Sequence, residues 1–138
     1  MPRLALALLL LGACGLPRDP EHTLERVRGG PLRVGIMHAP PQVDLRGAAP
    51  RGPEVDRIVA LADTLHATIT WRVGGETELM TALADFELDL VVGGLGDDTP
   101  YAERVGLTRP HAGTVFATPP GENAWLMAVD AALAGAAP

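Results

Sequence analysis

The sequence predicts an α/β fold, a single three-layer lobe with a mostly parallel sheet and helices on both faces. Three observations carry this. Apolar runs of strand length alternate with stretches whose large apolar residues recur at helical spacing, the pattern of parallel strands joined by helical crossovers. The 138 residues, less a short leader, suffice for one core and not for two of ordinary size. Aromatic residues are only 4% of the chain, so that core is built from Ala, Leu and Val.

Residues 1–13 read as a leader. Pro2 and Arg3 give a short cationic start, and residues 4–11 an apolar run too short to span a bilayer. The run closes on Leu11-Gly12-Ala13-Cys14, which resembles a lipobox. That resemblance implies export, cleavage before Cys14 and a lipid on its thiol, which would anchor the chain to a membrane. Cys14 is the only cysteine, so no intramolecular disulfide can form. Residues 14–30 read as a tether: Gly15-Leu16-Pro17-Arg18-Asp19-Pro20 is broken by proline, and a short helix over 21–28 stops at Gly29-Gly30. The lobe is expected over 31–138.

Residues 32–37 alternate large apolar with small or polar side chains and read as a strand, ended by His38-Ala39-Pro40-Pro41. A loop rich in Gly, Ala and Pro follows over 42–52. A helix starts at Pro53, a residue suited to a first turn, with Glu54 and Asp56 complementing its dipole. Its apolar face is Val55, Ile58, Val59, Ala62 and Leu65. Residues 68–73, with Ile69 and Trp71, read as a strand. Leu79, Met80, Leu83 and Phe86 mark a further helix, and Leu88-Asp89-Leu90-Val91-Val92-Gly93 an apolar strand running into Gly94-Leu95-Gly96. Trp125, Leu126, Val129 and Leu133 share one face of a last helix. Such sheets bind ligands beyond the carboxyl ends of their strands. Those ends are 38–41, Gly74-Gly75 and 93–99.

Several function classes are excluded or disfavoured. The chain has 11 basic residues, all arginine, against 17 acidic ones, which argues against nucleic acid as a partner. It has no serine, so no serine nucleophile exists. His22, His38, His66 and His111 are scattered and match no metal motif, so neither a metal nor a cofactor is expected. Gly93-Gly94-Leu95-Gly96 is no P-loop, but it brings backbone N–H groups near a polar or anionic ligand. Asp97-Asp98 is either a carboxylate pair for acid–base work or, as favoured here, a solvated turn. Arg104 suits bidentate capture of a carboxylate, or else a surface ion pair with Glu103 or Asp97.

Leu32-Arg33-Val34-Gly35-Ile36 with Pro40-Pro41, then Gly52-Pro53-Glu54-Val55-Asp56, then Leu88 through Leu95 followed by Thr99, Glu103-Arg104 and Thr108-Arg109-Pro110-His111, together resemble the extracellular solute-binding proteins of family 3. These are the amino-acid receptors of ABC importers, and the resemblance covers most of residues 31–116. It implies half of a periplasmic-binding-protein-like fold of the second type, a small amino acid or carboxylate ligand, an ABC permease as partner and the lipid anchor at Cys14. It implies that Gly94, Gly96 and Thr99 line the ligand cleft and that Arg104 holds a ligand carboxylate. Asp97 and His38 join them as polar residues on the same strand-end loops.

The chain departs from that pattern in three places. Two extra residues lie between Thr99 and Arg104. His111 stands where the family usually has tyrosine. A second lobe is expected to interrupt the chain after about Phe116, yet residues 117–136 resemble the returning helix of the first lobe. Lobe one alone leaves a ligand half solvated, so binding is expected to be weak or to need a second wall, such as another copy of the chain in a homodimer. The alternative is an envelope interaction module that no longer binds solute. Some relatives are dehydratases, but that chemistry needs the interlobe cleft, and no enzyme is expected.

Overall fold

The computed structural model describes residues 15–135; the leader and the lipid-attachment site expected at Cys14 lie outside the described residues. Strands β1 (Pro31–Ile36), β2 (Thr68–Val73), β3 (Leu90–Val92), β4 (Gly106–Leu107) and β5 (Ala117–Thr118) form one sheet in the order β2-β1-β3-β5-β4. β1 lies parallel to β2 along its whole length, Pro31 opposite Thr68 and Ile36 opposite Val73, and parallel to β3 from Val34 opposite Leu90. β5 returns antiparallel to β3, and β4 antiparallel to β5. Helices α1 (Thr23–Val27), α2 (Pro53–Leu65), α3 (Glu76–Ala84) and α4 (Asn123–Gly135) complete the lobe.

The alternation of side chains along the strands makes two cores. Leu32, Val34, Ile36, Leu90 and Val92 point to one face and meet Val55, Ile58 and Leu61 of α2 with Trp125, Val129 and Leu133 of α4. Val91 and Ala117 point to the other face, against Leu79, Met80 and Leu83 of α3. Each such side chain contributes roughly 1.5–3 kcal/mol on burial. Gly35 lets α3 approach: a Cβ there would lie 2.8 Å from Leu88 Cδ1 and 3.2 Å from Leu79 Cδ2. This is the three-layer, mostly parallel α/β lobe that the sequence predicts.

Details differ from the periodic reading. On α2, Leu61 is buried and Val59 is 43% exposed, because the apolar stripe is centred on Val55, Ile58 and Ala62 and position 59 falls beyond its rim. α3 ends at Ala84, and Phe86 sits past it in a left-handed turn at φ 60°, half-buried. β4 and β5 have two residues each, too short to leave a period in the sequence.

The tether expected over 14–30 does not hold beyond Arg18. The Asp19 carboxylate accepts hydrogen bonds from Leu24 N–H and Trp125 N–H, both at 2.9 Å, and so caps α1 and α4 together. The Glu122 carboxylate, 2% exposed, accepts from Glu21 N–H at 2.9 Å and Thr23 N–H at 3.2 Å. Asn123 N–H donates to the Arg18 carbonyl at 3.0 Å, and Val27 is fully buried in the core of α2 and α4. The prolines that suggested a linker flank a capping aspartate.

β4 and β5 are joined at the carboxyl end of the sheet by a hairpin. His111 N–H donates to the Thr114 carbonyl at 2.8 Å and Thr114 N–H returns to His111 at 3.2 Å. Ala112 at φ 52° and Gly113 at φ 83° form its two-residue turn, the left-handed pair that suits strand twist. The chain thus reverses before Phe116, which is buried, and then runs into β5 and α4. No helix among the described residues is long and apolar enough to cross a membrane.

Candidate functional site

The carboxyl ends of β1 and β3 meet where Met37 N–H donates to the Val92 carbonyl at 3.1 Å. The chain then turns through Gly93 at φ 143° and Gly94 at φ 67°. Gly93 is obligatory for space as well as conformation, since a Cβ there would lie 2.6 Å from Met37 Cβ. The Gly94 N–H donates to the Glu54 carboxylate at 3.1 Å. Glu54 is fully buried in the first turn of α2, so a carboxyl group beneath the loop fixes its path.

From the second helix, Glu76 in the first turn of α3 accepts a hydrogen bond from the Thr99 hydroxyl at 3.0 Å. Thr77 and Tyr101 share a hydroxyl contact of 2.7 Å. These contacts hold the segment after β3 against the start of α3. Between them lies a groove of about 300 Å³ lined by Met37, Glu76, Gly93 to Gly96, Asp98, Thr99 and Pro100.

Gly94, Gly96 and Thr99 come together in this groove, while the other three predicted residues do not line it. Asp97 and Asp98 are both exposed and only Asp98 lines the groove, with Thr99 N–H closing the turn on the Gly96 carbonyl at 3.3 Å. His38 is exposed and tied to the next loop, its Nδ1 accepting from Leu45 N–H at 3.1 Å. Arg104 is exposed on a turn closed by its own N–H to the Tyr101 carbonyl at 2.8 Å. That turn, over Tyr101 to Arg104, leaves Arg104 outside the groove lining.

Sequence reasoning missed Glu76 and Met37, and it read Asp98 as half of an acid–base pair or a solvated turn and not as part of a groove lining. Glu54 reads from the sequence as a dipole partner, and only the fold places it under Gly94. The signal for Glu76 was an acid directly after Gly74-Gly75, at a strand end already marked. Two carboxylates line the groove, a third lies behind it, and its lining contains no basic side chain. Such a surface attracts an ammonium or guanidinium and repels a carboxylate. No group of three or more His, Cys, Asp or Glu among the described residues is placed to hold a metal ion.

A second polar cluster sits at the opposite pole, around a cavity of about 210 Å³ lined by Arg26, Arg33, Phe86 and Asp89 among others. Its charges are internally matched. Asp89, fully buried, accepts from Arg33 Nε at 3.1 Å and Nη2 at 2.9 Å, and from Arg26. A third cluster pins the hairpin to α4: Asp130 accepts from Arg109 Nε at 2.6 Å and contacts His111 Nε2 at 3.1 Å. Burial opposes ionisation of Asp130 most, yet the bonds from His111 and Arg109 together hold its carboxyl below the ordinary value.

No family model matches the sequence, and no curated protein matches it. Solved structures do match. The arginine-bound form of domain 1 from TmArgBP superposes with a TM-score of 0.70 at 19% identity, covering 80% of this chain and 97% of that one. The arginine-bound form of a truncated ArgBP from T. maritima gives 0.53 at 23% identity, with 62% and 42% covered. The AvGluR1 ligand-binding domain in complex with alanine gives 0.52 at 22% identity, with 61% and 38% covered. The chain spans less than half of these longer proteins and nearly all of the isolated domain. At these identities the likeness shows the fold, that of a single domain of such binding proteins.

Proposed function

We propose that this chain is the lipid-anchored solute-binding component of an ABC-type importer, a one-lobed receptor for a small amino acid or similar solute. The observation that carries the reading is the groove at the carboxyl ends of β1 and β3, built on the fold of an arginine-bound domain 1. Its lining selects among ligands. Glu76 and Asp98 face a cationic group, and Met37, Leu95 and Pro100 offer apolar wall to an aliphatic stem, which favours a basic amino acid. One wall leaves the ligand half in water, where charge interactions are weak. A dissociation constant on the order of 1 mM, about −4 kcal/mol, is expected. The anchor at Cys14, a permease that takes up the solute and a second copy of the chain as the missing wall belong to the same reading.

Arg104 favours a second reading. The guanidinium that would clamp a carboxylate stands outside the groove, as in an envelope module that keeps the lobe and no longer binds solute. Calorimetric titration of the chain with arginine, lysine, glutamate and alanine, beside sedimentation, separates the two. The receptor reading expects arginine and lysine to bind and glutamate not to. Glu76→Gln should weaken that binding by roughly tenfold, the loss of one charge-assisted contact. No heat with any of the four at high millimolar concentration, together with no self-association, would sink the receptor and leave the module.

A further inference from the structure

We infer that the lobe stands on its membrane with the groove at the far pole, so that solute and any protein taking solute from the groove approach from the side away from the anchor. The inference rests on lipid attachment at Cys14, part of the proposed function, and on three features of the described chain.

The first is where the chain becomes fixed. The Arg18 carbonyl, the Asp19 carboxylate and the Glu21 and Thr23 N–H groups are all bonded to the start of α4 or to Glu122 before it. The second is the length of free lead. Only Gly15, Leu16 and Pro17 separate Cys14 from Arg18. A chain gains at most ~3.6 Å per residue, so Cys14 reaches roughly 14 Å from the point of fixation. Leu16 on this lead is 79% exposed, an apolar side chain open to a bilayer surface at that pole.

The third is the separation of the poles. α4 starts after β5, which runs antiparallel to β3, and Trp125 Nε1 donates to the carbonyl of Asp89, the residue before β3, at 2.7 Å. The fixed end is therefore at the amino ends of β1 and β3. The groove lies beyond their carboxyl ends, at Met37 and Gly93 to Pro100. A lobe of about 120 residues has a radius of gyration of about 14 Å and is about 35 Å across. Turning the groove to the bilayer would lift the fixed pole about that far from the surface, more than twice what a lead of roughly 14 Å allows. The permease of the proposed importer would then take solute from the side facing away from the anchoring membrane, and any protein in that membrane would meet α1.

The test uses the full chain made in a bacterial host and reconstituted, acylated, in phosphatidylethanolamine–phosphatidylglycerol vesicles carrying an acceptor lipid. Acylation is read separately, as palmitate incorporation that Cys14→Ala abolishes. A fluorophore is placed on a single added thiol, Glu25→Cys on α1 or Asp97→Cys at the groove pole, and energy transfer to the bilayer is measured. Transfer from position 25 is expected to exceed that from position 97 severalfold. Inserting about twenty Gly and Ser residues after Pro17, with an r.m.s. span of roughly 25 Å, should level the two. Equal or reversed transfer in the parent chain overturns the orientation, as does an insertion that changes nothing. Absent palmitate overturns the anchor and the orientation with it, while leaving solute binding to the groove open to its own titration.

Discussion

Asp89 shows how much of the lobe can hang on one carboxylate. It is fully buried, it receives the Arg33 N–H at 2.9 Å besides two guanidiniums, and its own carbonyl takes the indole of Trp125. Burial works against its charge, but the bonds from Arg33 and Arg26 prevail and hold its carboxyl below the ordinary value. Asp89→Ala should cost about 3 kcal/mol in urea denaturation, the low end for a broken buried pair because both arginines keep part of their surface in water. The same lowering sets an acid limit. A carboxyl whose folded value lies below its unfolded 3.8 contributes stability above that pH and loses it as pH falls toward the folded value. The urea midpoint should therefore drop between pH 5 and pH 3 (about the carboxylate range), and drop less steeply in Asp89→Asn. None of this was legible in the sequence. Asp89 reads there as one polar residue inside an apolar strand, and its partners lie 63 and 56 positions away. The groove residues divide the same way: the strand-end argument marked the loop 93–99 and the resemblance singled out Gly94, Gly96 and Thr99 within it, whereas Glu54 and Glu76 arrive from distant helices.

At the level of elements, spacing identified α2, α3, α4, β1 and β2, because each repeats its period often enough to be read, and β3 was legible as an apolar run. It failed at rims and in short pieces. Val59 and Leu61 differ only in which side of the stripe they extend, and β4 and β5 persist through tertiary pairing and not through any pattern of their own. The hairpin between them is closed by Ala112, a residue with a Cβ held at φ 52°. That conformation costs roughly 1–2 kcal/mol for a residue other than glycine, and asparagine tolerates it better. Ala112→Asn should therefore stabilise the lobe by about 1 kcal/mol, seen as a rise of about 3–5 °C in the thermal midpoint. A fall would mean that Ala112 is held there by a contact worth more than the strain.

For the molecule as a whole, the N-terminal segment separates a tethered domain from a seated one. Its proline spacing suggested a loose tether, and nothing in the composition hinted that Asp19 and Glu122 would bind it down. Replacing both, Asp19→Asn with Glu122→Ala, leaves several N–H groups without acceptors at a cost of about 1–3 kcal/mol each. Trypsin reports on this directly, since every basic residue is an arginine. Cleavage after Arg18, Arg26 and Arg28 should be at least about tenfold faster in the double variant. Equal rates would show that the packing of Val27, and not the capping bonds, secures the segment.

The capping bonds also order events in time. Asp19 meets Trp125 across 106 positions and Glu21 meets Glu122 across 101. Contacts so remote close a very long loop and gain nothing until both ends are in place. During synthesis the segment at 19–23 emerges first and waits for nearly the whole chain before its acceptors exist. The segment is therefore loose while the protein is being made, and is pinned only when its last helix has docked.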